Sequence, residues 1–198
     1  MDENTDIWRK YYEKELLRPH SKRTAFAVTL NASNSQVAID CGCGTGNDIE
    51  FLELCGYHVH GFDINPDAIA MCQDRFNMKP RVAITESSFE SFVYPKAGVV
   101  IANSSLFFAD PTLFGTTWNN IKSSVNIGGV FAGDFMGRKD DWAKEYRCPT
   151  VSLLESEVRS LFSGFDVVKF SERDEAAKTS LGRMKHWHTY SVIAVKCI

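Results

Sequence analysis

The stretch Val37-Ala38-Ile39-Asp40-Cys41-Gly42-Cys43-Gly44-Thr45-Gly46 holds the densest chemistry in the chain. An apolar run leads into an acid and then into three glycines at every second position. Glycines so placed permit positive φ and let the backbone pass close to a ligand. In doubly wound sheets the ligand crevice lies beyond the carboxyl ends of the strands, where this turn would fall. A second acid, Asp63, follows 23 residues after Asp40. A carboxylate at the end of a second strand can accept both hydroxyls of a ribose. A dinucleotide site would need Gly-x-Gly-x-x-Gly, and counting from Gly42 and Gly44 the third position is Asn47. An NAD-dependent reductase is disfavoured on that ground. The pattern acid-x-Gly-x-Gly-x-Gly is met in full by Asp40, Gly42, Gly44 and Gly46.

Other reactive residues are scattered. His20, His186 and His188 titrate near neutral pH and are the candidate bases. His188, beside a strand, is expected to be structural, and His58 and His60 to be packing residues. Six cysteines are present without paired C-x-x-C knuckles, so reduced thiols are expected and no metal site. Trp8, Tyr11 and Tyr12 share a helical stripe and could offer an aromatic face to a cation. Arg18 could pair with a ligand carboxylate.

The elements that must position these groups alternate in type. Residues 6–17 and 22–31 read as helices. Strands are expected at 36–40, 58–63, 81–85, 98–102, 130–135, 165–172 and 189–196. Helices lie between all but the last pair. Asn65-Pro66 and Asp110-Pro111 look like helix starts, and Ser152-x-x-Glu155 like a capping box. This predicts an α/β fold, a doubly wound seven-stranded, mostly parallel sheet with an antiparallel last strand. Residues 1–198 read as one domain, with a helical lid at 1–34 and the core at 35–198. The loop Arg173 to Trp187 and the segment Asp134 to Arg147 should overhang the ligand side.

Composition sets the outer bounds. The 198 residues are 44% apolar and 24% charged, ordinary for a globular protein and wrong for disorder. Lys+Arg 22 against Asp+Glu 25 gives −3, which argues against a general nucleic-acid binder. No apolar run approaches the ~18 residues of a membrane span. The start Met1-Asp2-Glu3-Asn4 lacks a signal-peptide pattern, so the cytoplasm is expected.

The glycine turn with Asp40, followed by Asp63, resembles motif I and the next acidic position of the class I S-adenosylmethionine-dependent methyltransferases. The resemblance runs over about residues 8–196 and implies their Rossmann-like fold. It implies S-adenosylmethionine as cofactor and S-adenosylhomocysteine as product. By position, Asp40, Gly42, Cys43, Gly44 and Gly46 would form the cofactor turn, with Asp40 facing the ammonium. Asp63 would hold the ribose and Ile64 would pack on adenine. Ser88 and Phe89 stand where many relatives have an adenine-contacting Asp. Asn103 stands where the family's loop meets the methyl group. Tyr12 and Arg18 complete the expected cofactor set, and His20 and His186 are the expected catalytic residues.

Ala102-Asn103-Ser104-Ser105 departs from the Asn/Asp-Pro-Pro-Tyr/Phe of enzymes that methylate amino groups of nucleic-acid bases. Arg18-Pro19-His20-Ser21 is similar to the Arg-x-His-Ser of the small tellurite-resistance methyltransferases. Lys178, Arg183 and Lys185-His186-Trp187-His188 replace the His-Arg pair expected in their closing loop. The acceptor is therefore expected to be a small molecule: a thiol, an amine or a chalcogen oxyanion. The alternative is a non-catalytic cofactor-binding module acting with a partner subunit. A monomer or homodimer is expected, without nucleic acid or membrane.

Overall fold

Strands covered on both faces need apolar residues at nearly every position. The computed structural model, which describes residues 10–198, meets that demand at Val37–Cys41 (β1) and Ala97–Ala102 (β4), the centre of the sheet. His58–Asp63 (β2) and Val82–Glu86 (β3) extend the sheet on one side. Val125–Gly137 (β5) lies on the other, followed by Met184–Lys196 (β8) and Phe165–Lys178 (β7). The order is β3-β2-β1-β4-β5-β8-β7. Pairing is parallel from β3 to β5 and antiparallel for β5–β8 and β7–β8.

An eighth strand, Ser152–Leu153 (β6), pairs with β5, so the sheet has one short strand more than expected. It uses the serine read from sequence as a helix cap. The helix that follows, Glu155–Leu161 (α7), begins at Leu154 instead, whose N–H donates to Glu157 Oε2 at 2.6 Å.

Helical structure covers residues 10–15 (α1) of the expected 6–17 helix; Ile7 and Trp8 lie outside the described residues. Lys22–Leu30 (α2) is capped by Ser21, whose side chain accepts from the Arg23 N–H. Asn47–Leu54 (α3) leaves the glycine turn. Pro66–Phe76 (α4) starts under an Asn65 cap as expected. Phe114–Ser124 (α5) starts four residues after Asp110, which caps only the preceding turn through Thr112. Asp141–Lys144 (α6) is a single turn. Two apolar layers sandwich the sheet. One holds Ile39, Phe62, Trp118, Phe131 and Phe162, the other Ile49, Leu52, Val59, Val99 and Ile193.

The segment 173–187, expected as a loop, is a two-stranded ribbon. Pairing continues through Asp174↔His188 and Ala176↔His186 to Lys178↔Met184, beyond the point where β5 ends. Charged residues are no obstacle to an edge strand; they guard it against further pairing. Only 179–183 turn, closed by Thr179 N–H to Arg183 O at 2.8 Å.

Candidate active site

The turn after β1 is fixed from below. The N–H groups of Gly42 and Cys43 both donate to Phe62 O at 2.9 Å, and that of Gly44 donates to Asp63 Oδ2 at 3.0 Å. All three glycines have positive φ, at 69°, 52° and 80°. Their surroundings differ. A Cβ on Gly42 would stand 2.5 Å from Ser105 Cβ, and one on Gly46 2.6 Å from Phe76 Cε2. One on Gly44 would find nothing closer than Tyr12 Cε1 at 3.9 Å. Gly42 and Gly46 thus permit packing, and Gly44 keeps open space above the turn.

That space belongs to a cavity of about 320 Å³ at the carboxyl ends of β1, β4 and β5. Its floor includes Asp40, Gly42, Cys43 and Gly44. Its roof includes Tyr11, Glu15, Arg18 and Pro19, and its far wall Arg23, Asp48, Asn103, Ser104 and Asp134. Two ion pairs are already closed: Glu15–Arg18 at 2.7 Å and Arg23–Asp134 at 2.7 Å. Asp134 also accepts from Ser104 N–H at 2.9 Å and from the Ser191 hydroxyl at 2.5 Å. Asn103 ties the wall together, accepting from Arg23 Nη1 at 2.8 Å and donating to Asp48 Oδ2 at 2.8 Å. Asp48 Oδ1 accepts from Ser21 N–H at 2.8 Å.

Two lining carboxylates, Asp40 and Asp48, have no cationic partner among the described residues. Asp40 is 4% exposed. Burial first, and then the charges on Asp48 and its other neighbours, push its carboxyl well above the usual carboxylate range. A buried acid without a partner is costly unless a ligand supplies the counter-charge. The site fits a cationic ligand end and opposes a pyrophosphate. The α3 tip is moreover covered by Asn47, whose Nδ2 donates to Glu15 O at 2.6 Å and whose Oδ1 accepts from Arg75.

The expected residues divide into three groups. Arg18, Asp40, Gly42, Cys43, Gly44 and Asn103 line the cavity. Tyr12, Asp63 and Phe89 touch the glycine turn from outside the cavity, and Ile64 and Ser88 follow and precede two of them in the chain. Tyr12 lies against Gly44, its hydroxyl acidity suppressed by burial and by Asp63. Asp63 steadies the turn and accepts from Asn65 N–H at 2.9 Å; burial raises its carboxyl. Ile64 is 71% exposed, a rim residue and not core. Ser88 caps a turn toward Ser91, and Phe89 is buried edge-on to Phe62 at 5.3 Å. The last group is not brought to the cavity. Gly46 packs on α4. His20 stacks on Phe51 at 3.8 Å. His186 sits on the ribbon, Nε2 2.7 Å from Asp174 Oδ1. Sequence reasoning missed Glu15, Arg23, Asp48 and Asp134. Asp48 was the one within reach, an acid two residues beyond the last glycine.

Glu172, Asp174 and His188 gather their ligand atoms as a metal site would. Their chemistry opposes one. His188 Nδ1 accepts from Lys139 N–H at 3.0 Å, so in the neutral ring the proton sits on Nε2, the atom a metal would need. Asp174 is already paired with the Lys139 ammonium at 2.5 Å.

This topology and this turn are similar to those of S-adenosylmethionine-dependent methyltransferases. Residues 38–129 match the methyltransferase domain family. No curated protein matches the sequence. Among solved structures, TehB from Haemophilus influenzae has a TM-score of 0.73 at 16% identity, covering 89% of this chain and 62% of its own. This chain thus spans less than two thirds of TehB. A chain from the complex between the Haloferax volcanii Trm112 methyltransferase activator and a methyltransferase scores 0.72 at 15% identity, covering 98% and 96%. The Burkholderia thailandensis 1,6-didemethyltoxoflavin-N1-methyltransferase, solved with S-adenosylhomocysteine, scores 0.62 at 16% identity, covering 98% and 87%. No helix among the described residues is long and apolar enough to cross a membrane.

Proposed function

We propose that the chain transfers the methyl group of S-adenosylmethionine to a small-molecule acceptor that brings its own nucleophilicity, a thiolate or a neutral amine. The observation that carries this is the carboxylate of Asp40, without a cationic partner among the described residues, beneath an open Gly44, with Asp48 opposite. Bound there, S-adenosylmethionine supplies a methyl carbon activated for in-line displacement. Asp40 and Asp48 hold its cationic end, and Arg18 shares its guanidinium between Glu15 and the cofactor carboxylate. Asp63, whose two oxygens each retain a lone pair, takes the ribose, with Ile64 and Ser88 at the adenine edge. Tyr11 and Tyr12 exclude water from above. Asp134 is engaged by Arg23, Ser104 and Ser191, which suits it to orient the wall. No histidine is among the described lining residues, which favours an acceptor that arrives deprotonated. Six free cysteines suit a reducing cytoplasm.

Isothermal titration tests the reading. Wild type should bind S-adenosylmethionine and its demethylated product. Asp40→Asn should weaken both, since both carry the ammonium that Asp40 would face. Wild-type protein that bound neither would end the proposal. The second reading, a module that works only with a partner subunit, draws on the likeness to the chain solved in the activator complex. Turnover by the isolated chain over a panel of thiols and amines excludes it.

A further inference from the structure

The β7–β8 ribbon projects past the sheet as an arm of five cross-strand pairs, from Asp174↔His188 to Lys178↔Met184. An exposed two-stranded arm is marginal by itself. This one is braced at its base. Lys185 and Asp140 form an ion pair almost wholly removed from solvent, and the Lys185 ammonium lies 4.3 Å from the Trp142 ring centre and 3.9 Å from that of Trp187. Asp140 Oδ2 also accepts from His188 N–H at 2.9 Å, and Asp141 Oδ2 from His186 N–H at 2.8 Å. Breaking such a pair by removing one partner is costly, so the base holds its angle. The tip then meets the roof of the cavity. Ser180 O accepts from Lys14 Nζ at 3.0 Å, and the Ser180 hydroxyl accepts from Arg18 Nη2 at 3.3 Å. That hydroxyl faces Glu15 Oε1 at 3.5 Å. Glu15 and Arg18 are roof residues.

We propose that Ser180 is a positioning residue: from the tip of a braced arm it clasps the Glu15–Arg18 pair and sets how fast ligand leaves the cavity beneath. The inference rests on the cofactor reading above. The clasp acts on the roof alone. The turn that presents Ser180 is closed by its own backbone bonds, Thr179 to Arg183 and Gly182 to Thr179, which survive loss of the hydroxyl. Sequence placed this segment over the site as a loop of charges; the arm instead delivers one serine through a rigid strut.

The test is stopped-flow release of S-adenosylhomocysteine from full-length protein. Two exposed hydrogen bonds at the low end of the usual range correspond to about a fivefold change. Lys14→Ala/Ser180→Ala should release the product about fivefold faster, with KM for S-adenosylmethionine rising in step, kcat with saturating cofactor unchanged or raised, and the melting temperature unmoved. Ser180→Thr, which keeps the hydroxyl, should release at the wild-type rate. A double variant releasing at the wild-type rate overturns the clasp, as does one whose only change is a lower melting temperature. Wild type that bound no product at all would instead bring down the cofactor reading, and the clasp with it.

Discussion

Alanine at Gly44 and at Gly46 should do opposite things, although the two glycines serve one motif. At Gly46 the backbone has φ 80°, a left-handed conformation that costs an L-residue about 1–2 kcal/mol. The new methyl would stand 2.6 Å from Phe76 Cε2 and 3.0 Å from Cys72 Sγ, side chains buried under α4. Overpacking of that kind adds about 1–3 kcal/mol. The total of roughly 2–5 kcal/mol, at 2–4 °C per kcal/mol for a chain of this size, lowers the melting temperature by about 10 °C. At Gly44 the backbone cost is similar, but the methyl meets only Tyr12 at 3.9 Å. The loss is then about 1–2 kcal/mol, or near 4 °C. Binding should rank the other way. The Gly44 methyl intrudes where the ligand approaches the backbone and should weaken S-adenosylhomocysteine at least tenfold. Gly46→Ala, titrated well below its melting temperature, should bind within about threefold of wild type. Scanning calorimetry and titration on the same preparations settle it. If Gly44→Ala proves the less stable variant, or binds as wild type does, the division of labour within the turn is refuted.

Two further outcomes follow from the charges. Arg23→Ala leaves Asp134 buried with hydroxyl and amide donors but no cation, and Arg23 is itself partly exposed. Urea denaturation should show a loss of about 2–3 kcal/mol, part of it recovered by adding Asp134→Asn; a loss below about 0.5 kcal/mol would show that the pair is immaterial. Asp40 has a folded-state carboxyl raised above its unfolded value, by burial first and neighbouring acids second. Its contribution to stability is therefore fully present below the ordinary carboxylate range and is lost as pH rises through the raised value. Asp40→Asn should thus stabilise the ligand-free protein at neutral pH. A cofactor ammonium favours the ionised form, so affinity should climb with pH over that window and binding should release a proton. Titrations in two buffers of different ionisation enthalpy that agree in heat would refute this.

Legibility followed the range of the interaction. The centre of the sheet was readable because β1 and β4 are short, mostly apolar runs covered on both faces. The turn was readable because three residues must adopt positive φ, and only glycine does so without strain. The arm was not readable. Arg173 to Lys178 has the composition of a solvated loop, and only the cross-strand ladder with residues 184–189 makes it a strand. The far wall was hidden for a similar reason. Arg23 lies on a helix of weak amphipathicity, and nothing local says that it will meet Asp134 and Asn103 across the sheet ends. The histidines misled in the converse way. His20 and His186 have chemistry suited to a base, but ring stacking and ribbon register place them elsewhere, and spacing along the chain carries neither. The cofactor half of the site is therefore written in backbone conformation, which sequence exposes. The acceptor half is written in side-chain pairs joined across the sheet ends, which only the fold assembles. The same division explains why the cofactor reading rests on ten consecutive residues, whereas a reading of the acceptor needs the side-chain pairs that the fold assembles.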